Sequence, residues 1–83
     1  MKKYLVDVYV PAVSQHFDVF LPVGKNIGEV TVLLVGIIES LTNSSYKGST
    51  KAVLISANNG VPFEPSVTVH EAGIRNSVKL ILI

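Results

Sequence analysis

Alternating apolar and polar residues near the start of the chain predict two β-strands. In residues 4–10 the even-numbered side chains are all apolar or aromatic, and in residues 16–22 Phe17, Val19 and Leu21 recur at every second position. A period of two is typical of a strand that buries one face and exposes the other. Few residues separate the two segments, so we expect a hairpin with a short loop.

The apolar spacing changes to that of an α-helix after the turn-forming residues 22–26. Asn26 has the residue type of an N-cap, and Glu29 is placed to complete a capping box. From Ile27 onward, apolar residues recur every three or four positions, which predicts one buried helical stripe. The residues expected in that stripe are Ile27, Val30, Leu34, Ile37, Ile38 and Leu41, with Leu33 at its margin. Polar residues 42–50 predict a loop.

The second half of the chain predicts two further strands around an irregular segment. Residues 51–57 form the third strand, and residues 58–60 a turn. Residues 67–74 suggest a short turn of helix that closes at Gly73. The last strand covers residues 78–83, with Leu80 and Leu82 facing the core. This order predicts one α+β domain over residues 1–83, with a long helix packed on one face of a mixed sheet of four or five strands.

Composition narrows the classes of protein to which the chain can belong. Of its 83 residues 48% are hydrophobic and 16% charged, which excludes disorder and implies that some apolar side chains reach the surface. The net charge is +1 and the basic residues are scattered, so we expect no nucleic-acid partner. The longest apolar run, residues 30–38, is half of what a membrane span needs. The absence of cysteine fits a cytoplasmic protein.

The sequence contains no recognisable catalytic motif. His16 and His70 lie on an outward strand face and in a turn, where a solvated or capping role is favoured over catalysis. Asp7 and Asp18 lie on outer faces of neighbouring strands, and solubilising that face is favoured over acid–base chemistry. Residues 46–51 lack the first glycine of a phosphate-binding loop and lead from a helix into a strand. We therefore predict no enzyme activity, no metal site and no cofactor.

The spacing of several core residues resembles that of the ubiquitin-like β-grasp family. Leu21, Ile27 and Val30 keep the family's intervals between the second strand and the helix, and Ile74 and Leu80 keep those at the last strand. The ending AGIRNSVKLILI is similar to that of the YukD-like proteins, small ubiquitin-like proteins encoded beside bacterial type VII (WXG-type) secretion systems. Members often have Gly-Asp where this chain has Ser-Val.

This resemblance implies a cytoplasmic accessory factor that binds a protein of the secretion apparatus without covalent conjugation. Ubiquitin and related sulfur carriers extend to a flexible Gly-Gly, whereas this chain ends on the β-branched Ile83, so we do not expect conjugation or sulfur transfer through this terminus. Two alternatives stay open. One is a small ubiquitin-like subunit of a multicomponent enzyme such as an oxygenase, and the other is a carrier whose tail is missing.

Two surfaces are predicted to bind a protein partner. The first is an apolar patch on the open sheet face, consisting of Leu5, Tyr9, Leu54, Ile81 and Ile83. The second is the exposed side of the helix, where Gly28, Val32 and Gly36 are spaced to allow close backbone approach. For the sheet face, the alternative without function is that these are ordinary exposed aliphatic residues. For the helix, it is that the glycines only weaken a helix that the fold tolerates. The exposed apolar surface also allows weak self-association.

Overall fold

The computed structural model describes residues 2–43, 45–46 and 51–83. Strands β1 (Lys3–Val10) and β2 (Gln15–Pro22) are joined by a single 3₁₀ turn at Pro11–Val13. Helix α1 (Ile27–Leu41) follows, and then strands β3 (Leu54–Ser56) and β4 (Lys79–Leu82). Ser44 and residues 47–50 of the predicted 42–50 loop lie outside the described residues.

The four strands form one mixed sheet in the order β2-β1-β4-β3. The pairs β1–β2 and β3–β4 are antiparallel, whereas β1 and β4 run parallel. A parallel pair needs a long crossover connection, which α1 and the following segments supply. The last strand, β4, lies inside the sheet between β1 and β3, and the predicted α+β class with one long helix on one sheet face is confirmed.

Alternation along each strand places the core between the sheet and α1. Val6, Val8 and Val10 of β1 are at most 1% exposed, and Leu80 and Leu82 of β4 are fully buried. These residues pack with the buried side chains of α1 into one hydrophobic cluster. The predicted facing of β1, β2 and β4 is therefore right.

The helix begins where the sequence predicts, because Asn26 caps it. The Oδ1 atom of Asn26 accepts a hydrogen bond from the backbone N–H of Glu29 at 2.9 Å. The predicted buried stripe is wrong at two positions, since Ile37 is 41% and Leu41 60% exposed. Thr31 is buried instead, and its hydroxyl donates to the carbonyl of Ile27 at 2.8 Å. The helix is apolar around most of its circumference, so spacing alone did not fix the edge of the buried arc.

Residues 67–74 form hydrogen-bonded turns rather than a helix. The backbone N–H of Thr68 donates to Glu71 Oε1 at 2.9 Å, and the N–H of Glu71 donates to Thr68 Oγ1 at 3.0 Å. Gly73 then takes φ +85°, a left-handed conformation that ends the turn at the predicted residue. The segment contacts the start of β1 through Tyr4, whose hydroxyl lies 2.7 Å from His70 Nδ1.

Candidate protein-binding surfaces

The outer face of the sheet, on the side away from α1, carries an apolar row that crosses three strands. Tyr9 of β1 lies opposite Ile81 of β4, and Ile81 lies opposite Ile55 of β3. All three side chains are partly exposed. The ring of His16 on β2 continues the row, with its centroid 4.6 Å from that of Tyr9.

Two further aliphatic residues extend this row at the end of β4. Ile83 is 57% and Val53 37% exposed, and their backbones exchange hydrogen bonds of 2.8 and 3.0 Å. Each lies two residues from a member of the row and therefore shares its face. We call the residues Tyr9, Val53, Ile55, Ile81 and Ile83 the sheet patch. An apolar cluster with this much exposure is typical of a surface that binds another protein.

Leu54 does not belong to the sheet patch, which corrects the sequence prediction. Its side chain is 2% exposed and lies opposite Leu82, so it faces the core. Its neighbour Ile55 occupies the outer face instead. The prediction failed because Val53, Leu54 and Ile55 are all apolar, and three successive apolar residues leave the phase of a strand undefined. The pairing with β4 fixes that phase.

A polar band separates Leu5 from the sheet patch. Asp18, Asp7 and Lys79 lie opposite one another on β2, β1 and β4. Beyond this band Leu5 is 41% exposed and lies opposite Phe20, which is 62% exposed. Phe20 was not among the residues predicted to bind a partner, although its outward position on β2 was the available signal. The apolar surface of the sheet is thus divided into two zones.

His16 and Asp7 form a polar pair beside the sheet patch. His16 Nδ1 lies 3.0 Å from Asp7 Oδ1, and 64% of the His16 side chain is exposed. Within residues 2–43, 45–46 and 51–83, no three histidine or carboxylate side chains come together as metal ligands. In the same part of the chain, no helix has the length and apolar character to cross a membrane.

A cleft of about 610 Å³ lies between the segments 56–63 and 72–79. Its lining residues include the apolar Phe63 and Val78 together with Asn58 and Lys79. Lys79 is the one titratable residue among the described residues that line the cleft.

The exposed side of α1 forms a second apolar surface. Val32 is 72% exposed, and a side chain built at Gly36 would meet nothing within 4 Å. Leu33, Ile37 and Leu41 are also exposed and line a shallow depression with these two residues and Ser40. We call the residues Val32, Leu33, Gly36, Ile37, Ser40 and Leu41 the helix patch.

Gly28 is not available to a partner in the way that the sequence analysis predicted. Its backbone N–H donates to the carbonyl of Pro65 at 3.0 Å, and a Cβ atom at this position would lie 3.4 Å from that oxygen. The close backbone approach that glycine permits here is made by the chain's own 62–67 segment. The loop contact was not visible in the sequence because thirty-seven positions separate the two residues.

Comparisons with known proteins identify the fold. No model of a known protein family matches the chain, and no curated protein does. Among solved structures, the EccD5 ubiquitin-like domain from Mycobacterium xenopi superposes with a TM-score of 0.84 at 15% identity, covering 100% of this chain and 94% of that one. The ubiquitin-like domain of the Mycobacterium tuberculosis type VII secretion protein ECCD1 gives a TM-score of 0.78 at 12% identity, covering 100% and 99%.

A chain of an ESX-5 inner membrane complex also matches, with a TM-score of 0.83 at 15% identity, and this chain spans 21% of its length. At these identities the similarity shows the fold and not the activity. The chain has a ubiquitin-like β-grasp fold, and its structural neighbours include ubiquitin-like domains of type VII secretion proteins.

Proposed function

We propose that this chain acts by non-covalent protein binding, as a cytoplasmic accessory factor of a type VII-like secretion system. The observation that carries the proposal is the sheet patch, an exposed apolar surface on a fold shared with ubiquitin-like domains of type VII secretion proteins. The neighbour that belongs to an inner membrane complex is itself part of a larger assembly. These similarities support a protein partner in such an apparatus.

The composition of the sheet patch suits reversible protein binding. Its centre is aromatic and aliphatic, and its border carries the charged side chains of Asp7 and Lys79. Protein interfaces commonly combine an apolar centre, rich in aromatic anchors, with a polar rim. Each aliphatic anchor that is fully desolvated on binding contributes roughly 1.5–3 kcal/mol. Loss of one anchor should therefore lower the affinity at least about tenfold.

The test is a binding titration of the purified chain against purified soluble domains of the type VII secretion components from the same organism. Ile81→Asp should weaken the complex at least about tenfold, because a charge at the centre of the patch must be desolvated. Phe20→Asp is the matched control, since it introduces the same charge on the same sheet face beyond the polar band.

Circular dichroism must first establish that both variants fold like the wild type. Wild-type binding that survives Ile81→Asp, or that is lost equally in Phe20→Asp, would contradict the assignment of the patch. If the wild type binds none of the secretion components, the proposed apparatus is wrong.

A further inference from the structure

The outer edge of β2 carries backbone groups that the sheet itself does not use. On β1, the N–H of Asp7 donates to the carbonyl of Val78, just before β4, at 3.1 Å. The odd-numbered residues of β1 therefore direct their N–H and C=O groups toward β4, and the even-numbered residues direct theirs toward β2. Even residues of β1 pair with odd residues of β2. The backbone groups of the even residues His16, Asp18 and Phe20 consequently point away from the sheet.

The two edges of the sheet differ in whether the chain covers them. Along β3, the N–H of Phe63 donates to the carbonyl of Leu54 at 3.1 Å, and the N–H of Ser56 donates to the carbonyl of Val61 at 3.1 Å. The segment 61–63 therefore lies against that edge. Along β2, no segment within residues 2–43, 45–46 and 51–83 forms a backbone hydrogen bond to the three outward-pointing residues. An open edge on a strand of 8 residues is a template for pairing with another strand.

The side chains of this edge favour a strand that carries a positive charge. Asp18 is exposed and lies opposite Asp7, so two carboxylates share one row of the outer sheet face. Asp7 lies 3.0 Å from His16, whereas Asp18 has no ion pair within the part of the chain that the structure describes. Like charges directly opposite each other destabilise a sheet, and a cation beside Asp18 relieves this repulsion. Phe20, two residues along the same face, is 62% exposed and offers an apolar contact.

A second copy of this chain fits the edge poorly. In an antiparallel two-fold contact, the outward-pointing residues of one β2 pair with the outward-pointing residues of the other. Within β2, the registers that engage the N–H groups of all three residues place the two Asp18 carboxylates directly opposite or diagonal to each other. Both registers bring like charges together, which disfavours the contact. The charge of the edge therefore argues for a strand from a different protein.

We propose that the outer edge of β2 binds an extended segment of another protein by strand addition, with a lysine or arginine of that segment beside Asp18. Backbone hydrogen bonds to His16, Asp18 and Phe20 hold the segment, and its alternate side chains provide selectivity. The edge is separate from the sheet patch, whose central residues belong to β1, β3 and β4. The two surfaces are therefore tested independently, and this proposal does not rest on a secretion partner.

The experiment is an NMR titration of the isotope-labelled chain with a synthetic peptide, Thr-Val-Thr-Arg-Thr-Val-Thr, blocked at both ends. Its sequence reads the same in both directions, so it presents arginine between two valines on one face in either strand orientation. Near saturation, solvent exchange of the His16, Asp18 and Phe20 amides should slow at least about tenfold, because these amides become hydrogen-bonded. The Phe17 and Val19 amides already bond to β1 and should change little. A peptide with Glu in place of Arg should bind at least about threefold more weakly.

Two substitutions at one position separate the backbone from the side chain. Phe20→Ala removes the ring but keeps the outward N–H, whereas Phe20→Pro also removes the N–H at an edge position that tolerates proline. Phe20→Pro should therefore bind the peptide about tenfold more weakly than Phe20→Ala, since the peptide carbonyl loses its donor. In Asp18→Asn the preference for the Arg peptide over the Glu peptide should disappear.

Circular dichroism checks that each variant folds before it is titrated. Four outcomes would overturn the proposal. The first is unchanged exchange of the three amides at about 1 mM peptide. The second is a response confined to the sheet patch, which would place the peptide on the sheet face. The third is equal binding by Phe20→Pro and Phe20→Ala. The fourth is protection of the same amides without peptide that grows with protein concentration, which would assign the edge to a second copy of the chain.

Discussion

Alanine substitutions at Leu54 and Ile55 test the facing of β3, the strand whose phase the sequence left undefined. The two residues are neighbours with side chains of the same size, but Leu54 is 2% exposed in the core whereas Ile55 lies partly exposed on the outer face. Leu54→Ala should therefore destabilise the domain strongly, and Ile55→Ala should do so weakly. The pair is internally matched, because both substitutions also lower β-propensity in the same short strand.

The expected magnitude follows from the burial of Leu54. Removing about three methylene equivalents loses roughly 2.4 kcal/mol of transfer free energy, and the residual cavity beside Leu82 raises the total to about 3–4 kcal/mol. A domain of this size is stable by roughly 4–12 kcal/mol, so the variant should still fold. Since about 1 kcal/mol shifts the melting temperature of a small domain by roughly 4–8 °C, the shift should exceed about 12 °C. For Ile55→Ala we expect about 1 kcal/mol.

Urea denaturation followed by circular dichroism measures both free energies of unfolding under the same conditions. Equal losses in the two variants, or a larger loss in Ile55→Ala, would refute the facing of β3 and with it the membership of Ile55 in the sheet patch.

Two further measurements examine the turns and the helix. Gly36→Ala should stabilise the domain by up to about 1 kcal/mol, because the position is helical and open. Gly73→Ala should destabilise it, because the backbone there has φ +85°. Thermal melts that rank the two variants in the reverse order would contradict these backbone assignments. The pKa of Glu71 is lowered, chiefly because its carboxylate accepts the backbone N–H of Thr68. A lowered folded-state pKa contributes stability above the ordinary glutamate pKa of about 4.3, which is lost as the pH falls through the folded value. Wild type should therefore lose more stability on acidification than Glu71→Gln, and parallel pH profiles would argue against the Thr68–Glu71 bond.

Local patterns predicted the elements whose two faces differ clearly in polarity. The alternation in β1 and β2 gave their facing, and Asn26 marked the start of α1 because a capping side chain acts within three residues. The edge of the buried arc of α1 was not predictable in the same way. Ile37 and Leu41 are as apolar as core residues, but they lie 41% and 60% exposed, outside the buried arc.

The candidate surfaces, too, were predicted where they depend on local patterns and missed where they depend on contacts between distant segments. Tyr9, Ile81 and Ile83 lie together on the outer face because strand alternation is a local property. Which residues of β3 join them depends on its register with β4, and the covering of Gly28 depends on a loop far along the chain. Long-range pairing of this kind has no signature in the spacing of a single sequence.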